Sequence, residues 1–136
     1  MFKRALGLGI VSGLLAGLVS LAYARVYHSS LGADFSRVAK PAGIMVASLA
    51  GGVLAAIGYW ILDKWLKQRG EIVFNFLFVI LSFATVIGAF GAKLPLDIEA
   101  PELFPGLVVP MHFFPALGWF TLKPLFFPRE RSRERG

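Results

Sequence analysis

The sequence predicts an all-α integral membrane protein, a four-helix bundle whose fourth helix is kinked by prolines. Three observations carry this. Of the 136 residues, 57% are hydrophobic and only 16% are charged, with a mean hydropathy of +0.70. A soluble domain carries about 25% charged residues, and a short chain has too little interior to hide so much apolar surface from water. Second, the apolar residues fall into four segments, near 5–27, 42–62, 72–92 and 103–122. Each approaches the roughly 20 residues that cross about 30 Å of hydrocarbon at 1.5 Å per residue. Third, no strand pattern is convincing, and a backbone in lipid must satisfy its own hydrogen bonds, as a helix does.

The first segment follows Lys3 and Arg4 and is closed by Arg25. Its apolar run is longer than a secretory signal core, so a retained span is expected rather than a cleaved leader. Gly9, Gly13 and Gly17 recur every four residues along it, beside a second small stripe of Ser12, Ala16, Ser20 and Ala24. The second segment repeats the device with Gly43, Ala47, Gly51 and Ala55, flanked by Ser48, Gly52 and Ala56. Small residues four apart share a helix face and let two backbones approach closely, which drives association where lipid leaves no hydrophobic gain. Gly9, Gly13, Gly17, Gly43 and Gly51 are therefore expected to pack the first helix on the second, or to form a seam with another chain.

Between these segments the linker "HSSLGADFSRVAKPAG" offers Ser30 or Asp34 as the cap of a short interfacial helix, with Phe35 and Val38 dipping into headgroups. The third segment opens at Glu71 and carries Asn75, Ser82 and Thr85. Asn75 and Ser82, seven apart, share a face, and Ser82 and Thr85 can bond to carbonyls of their own helix. A structural role or a polar pathway both fit. Tyr23, Tyr27, Tyr59, Trp60, Trp65 and Trp119 lie toward helix ends, as an aromatic belt does.

The fourth segment contains "LVVPMHFFPALGWF", with Pro105, Pro110 and Pro115 every five residues. Pro105 suits a first helical turn, where its missing N–H does no harm. Pro110 and Pro115 fall inside, free the carbonyls of Gly106 and Met111, and are expected to kink the helix. His112 lies between them, nine residues from Leu103, or about 14 Å deep at 1.5 Å per residue. Three roles compete. The imidazole can donate to a freed carbonyl or to a hydroxyl of another helix. It can line a polar cavity and carry protons or touch a small ligand, since an intramembrane ionisable residue is a functional candidate by default. It can ligate haem or a metal, but a lone histidine is a weak site, and His28 sits at a different depth.

With no cysteine there is neither a thiolate nucleophile nor a disulfide framework. No phosphate loop or catalytic triad is defensible, so an enzyme is not expected, nor is a metal or another cofactor. The acidic trio Asp97, Glu99 and Glu102 reads as a solvated loop more readily than as a cation site. The net charge of +6 does not point to nucleic acid, because the basic residues cluster at the ends of apolar runs. Lys3, Arg4, Lys64, Lys67, Arg69, Lys123, Arg129, Arg131, Arg133 and Arg135 fall on one side; Arg25, Arg37, Lys40 and Lys93 fall on the other. That bias puts both termini in the cytoplasm. One four-span domain is expected over 1–128, followed by a charged cytoplasmic tail over 129–136.

The pair Met111–His112 in the last segment, and "ILSF" at 80–83 ahead of Pro95, resemble small uncharacterised bacterial four-span membrane proteins of the domain-of-unknown-function kind. That resemblance brings no activity; it only raises slightly the chance that His112 does more than pack. The expected location is the bacterial inner membrane. The expected function is a non-enzymatic accessory subunit in the lipid bilayer, forming a homo-oligomer or part of a larger membrane complex. The alternative is a small oligomeric transporter or channel for a solute, ion or proton, using His112.

Overall fold

The computed structural model describes residues 1–91 and 93–128. The expected tail 129–136, and the last residue of the expected third segment, lie outside the described residues. Four α-helices account for most of the chain: α1 (Phe2–Leu31), α2 (Pro41–Leu66), α3 (Gly70–Gly91) and α4 (Phe104–Phe126). There is no strand among the described residues. A 3-10 turn at Lys67–Arg69 joins α2 to α3, and another at Pro101–Leu103 leads into α4. Three continuous helical stretches are long and apolar enough to cross a membrane: Phe2–Leu31, Pro41–Gly91 and Pro101–Phe126.

Local chemistry sets the boundaries. Helix α1 stops at Gly32, whose φ of 70° is left-handed and whose N–H caps the His28 carbonyl. Lys40 is extended ahead of Pro41, which opens α2, as the steric rules before and at proline require. Helix α2 ends where Lys67 takes φ 50° and ψ −121°, a conformation that glycine tolerates far better. Gly70 then opens α3 so close to the turn that a Cβ there would sit 2.5 Å from the Leu62 carbonyl oxygen. Pro105 occupies the first turn of α4, and the helix runs on through Pro110, Pro115 and also Pro124.

Consecutive helices pack antiparallel, and α4 also packs on α1. The α1–α2 seam is the most intimate. A Cβ on Gly9 would strike the Gly52 carbonyl, and one on Gly52 would strike Gly9. Further along, a Cβ on Gly13 would lie 2.8 Å from the Ser48 carbonyl oxygen, and one on Gly17 would lie 2.6 Å from Met45 Sδ. Gly9, Gly13 and Gly17 thus pack α1 on α2. Gly43 and Gly51 do not: a Cβ at either meets nothing within 4 Å. The neighbouring stripe of Ser48, Gly52 and Ala56 makes the seam instead.

Two apolar clusters sit at opposite ends of the helices. At the end holding the Lys67–Arg69 turn, Ala5, Leu8, Ala55, Ala56, Tyr59, Phe74 and Trp119 form one core. Trp119 is fully buried there, within 5.2 Å of Phe74 and 5.7 Å of Tyr59 between ring centroids. Tyr59 and Trp119 are therefore core residues rather than members of an interfacial belt, unlike Trp65, which is 77% exposed. At the other end Ala33, Phe35, Ile98, Phe104 and Leu107 form the second core. Phe35 stacks edge-on with Phe104 at 5.3 Å, so it points into the protein and not into headgroups. Outward faces of α1 and α3 carry exposed Val11, Leu14, Leu18, Ile80, Phe83 and Ile87, the surface a lipid solvent accepts.

Candidate functional site

Between the two cores the helices leave a cleft of about 610 Å³. Helix α2 lines one wall with Gly43, Ala47, Ser48 and Gly51; α3 lines another with Phe78, Leu81, Ser82 and Thr85. Helix α4 contributes Val108, Met111, His112 and Pro115; α1 contributes Ser20; and Lys40 stands at the rim. Leu81 and Thr85 are exposed on the outer surface as well, so the cleft opens sideways between α2 and α3. Its existence follows from the missing side chains on α2. A row of glycine and alanine holds that wall back, and nothing else fills the space in front of Gly43 and Gly51.

His112 is half-buried in the wall, its Nδ1 2.6 Å from the Val108 carbonyl oxygen one turn back. A carbonyl only accepts, so Nδ1 carries the hydrogen and donates. In the neutral ring Nε2 then keeps its lone pair as an acceptor, and it has no hydrogen bond within the described residues. The imidazole does not reach either carbonyl freed by proline. Tyr23 on α1 takes the Gly106 carbonyl instead, donating its hydroxyl at 2.8 Å. Tyr27 donates in the same way to the Leu103 carbonyl at 2.5 Å. The two tyrosines, expected in a belt, thus tie α1 to the proline-bearing start of α4.

The hydroxyls differ in a telling way. Ser82 Oγ donates to the Phe78 carbonyl and Thr85 Oγ1 to the Ser82 carbonyl, both at 2.8 Å. Ser12, in the α1–α2 seam, donates to Gly9 at 3.2 Å. Ser20 is only 1% exposed, and its Oγ has no partner. Leaving a buried hydroxyl unpaired costs about 1–3 kcal/mol. Ser20 and Ser48, which spacing alone passed over as members of small stripes, both line the cleft.

Of the residues singled out from the sequence, the fold brings His112, Ser82, Thr85, Gly43, Gly51 and Pro115 to the cleft. Asn75 is not among its lining residues; it sits a turn from the α2–α3 junction with Oδ1 buried and unpartnered. Gly9, Gly13 and Gly17 belong to the seam, and Pro110 to the α1–α4 contact through Gly106. His28 lines a separate cavity of about 200 Å³ near the second core, with Nδ1 3.1 Å from the Ala33 carbonyl oxygen. The two histidines thus belong to different cavities.

Outside the helices, the first linker is a turn rather than an interfacial helix. Asp34 Oδ1 accepts from the Ser36 N–H at 2.9 Å, and that hydrogen bond lowers its pKa. Of the acidic trio, Asp97 pairs with Arg37 at 2.6 Å, which holds its carboxyl below the ordinary range and links the two loops. Both partners are well exposed, so the bridge contributes little to stability. At the opposite end Lys123 Nζ lies 2.6 Å from Glu71 Oε1, joining α4 to α3.

No family model, curated protein or solved structure matches the chain.

Proposed function

We propose that this chain is a four-span integral membrane protein that binds a small molecule in the cleft beside His112. The observation that carries it is that cleft: about 610 Å³, within the 300–1,000 Å³ range of ligand sites, apolar-walled, with His112, Ser20, Ser48, Ser82 and Thr85 as its few polar groups inside Lys40 at the rim. The four-span count is supported by the fold-back at Lys67–Arg69, which divides a stretch of 51 residues, far longer than one crossing needs. In the same reading α4 bends at Pro110 and Pro115. Both termini and the Lys67–Arg69 turn lie in the cytoplasm of a bacterium, and the cleft opens in the outer half of the inner membrane. The core around Trp119 lies beneath it, favouring a binding protein over an open channel.

A second reading keeps the accessory subunit. Gly43, Ala47 and Gly51 would seat a helix of another chain, or of a second copy, against the same open wall. One experiment separates the two. The protein is purified in mild detergent and studied by native mass spectrometry, beside Gly43→Leu/Gly51→Leu, which fills the cleft from a wall with free space. Small-molecule binding predicts a monomer carrying a co-purifying small molecule that the double variant lacks. A larger assembly that the double variant dissolves supports the second reading and sinks the first.

A further inference from the structure

Resting on the binding reading above, the geometry points to a neutral, lipophilic hydroxyl compound as the ligand, an alcohol or phenol with a hydrocarbon body. We propose that its O–H donates to His112 Nε2, that its oxygen accepts from the Ser20 hydroxyl, and that its body lies against Gly43, Ala47 and Gly51.

The argument is a count of hydrogen-bonding roles. The Val108 carbonyl at 2.6 Å takes the imidazole hydrogen, so His112 offers the cleft an acceptor. Ser82 and Thr85 have committed their hydrogens to backbone carbonyls at 2.8 Å, so their oxygens offer only acceptor capacity. Ser20, almost fully buried with no partner, and Ser48, whose hydroxyl makes no hydrogen bond among the described residues, have uncommitted hydrogens and free lone pairs. The cleft thus sets an imidazole acceptor beside two uncommitted hydroxyls. A pure acceptor, such as a ketone, ether or ester, would set its oxygen against the imidazole lone pair and leave Nε2 unpaired. A hydroxyl has both complements, one hydrogen to give and lone pairs to receive Ser20.

Charge narrows the class further. Among the described residues, the only charged one on the lining is Lys40, at the rim; none lies beside His112 or Ser20. An anion drawn to the depth of His112 would lose its hydration with no cation to meet it, a cost that excludes it from that position. The sideways opening between α2 and α3 suits a compound that partitions into lipid first.

The test uses the full chain in phosphatidylcholine nanodiscs with a diazirine-bearing C15 primary alcohol as the photoprobe. Peptide mass spectrometry locates the adducts. Labelling is expected at the cleft walls, around Ala47, Leu81 and Met111, and unlabelled alcohol should compete about tenfold better than its methyl ether. Ser20→Ala should weaken labelling several-fold without lowering the melting temperature, because Ser20 Oγ has no bond in the protein to lose and its removal relieves an unpaired buried hydroxyl. Equal competition by alcohol and ether, or stronger competition by the matching carboxylate, would overturn the hydroxyl assignment while leaving the cleft as a binding site. Absence of saturable labelling by the alcohol, its ether and its carboxylate forms of the probe would sink both the assignment and the binding reading.

Discussion

Gly51 and Gly52 stand side by side in the sequence and do opposite work. A Cβ on Gly52 has nowhere to go, because the Gly9 backbone is already there; a Cβ on Gly51 would enter the cleft. One residue along a helix turns a side chain by about 100°, so adjacent stripes face different neighbours. Gly52→Ala should therefore destabilise the protein by about 1–3 kcal/mol, the usual cost of overpacking, since the obstacle is backbone and cannot swing aside. Gly43→Ala should cost nothing measurable and even gain a little from higher helix propensity. Unfolding of each variant in detergent, followed by loss of helical circular dichroism, checks the pair. Equal sensitivity at the two positions would contradict the seam.

The elements show which parts of local chemistry carry through to the fold. Proline placement was legible: Pro41 opens α2, and Pro105 falls in the first turn of α4. The carbonyls freed inside α4 were legible as a need for partners, but not the partner, because Tyr23 is 83 residues away in the chain. The α2–α3 turn is the strained element. Lys67 holds φ 50° and ψ −121°, which costs a non-glycine residue about 1–3 kcal/mol. Lys67→Gly should relieve that and raise the melting temperature by a few degrees, despite the greater freedom glycine gives the unfolded chain. A drop in melting temperature would mean that the turn is not strained at Lys67.

For the whole molecule, the testable matter is which way the helices run through a membrane. The chain has no cysteine, so single cysteines report position without background. In the four-span reading, Gln68→Cys lies in the turn after α2 and Glu99→Cys in the link before α4, on opposite sides. A membrane-impermeant maleimide applied to intact cells with a permeabilised outer membrane should label Cys at 99 and spare Cys at 68. Labelling of both, or of neither, would refute that topology. The outcome also places the mouth of the cleft, since Lys40 at its rim and the Arg37–Asp97 bridge belong to the same end as Glu99.

Composition and apolar run length by themselves determined that the chain is helical, apolar and long enough in its helices to cross lipid, because those are one-dimensional properties of the backbone and its solvent. Small-residue spacing likewise determined that two backbones would meet closely. Only the tertiary structure decided which stripe they use. Gly43–Gly51 and Ser48–Ala56 are equally small and equally spaced, and hydropathy along a helix carries no record of azimuth. For the same reason Trp119 and Tyr59 read as belt residues and proved to be core. His112 was visible as an ionisable group in an oily run. Its tautomer is set within its own helix by the Val108 carbonyl, but its company of Ser82 and Thr85 from α3 and the unpaired Ser20 from α1 exists only once the helices are packed, because three separate stretches of chain are brought to one cleft.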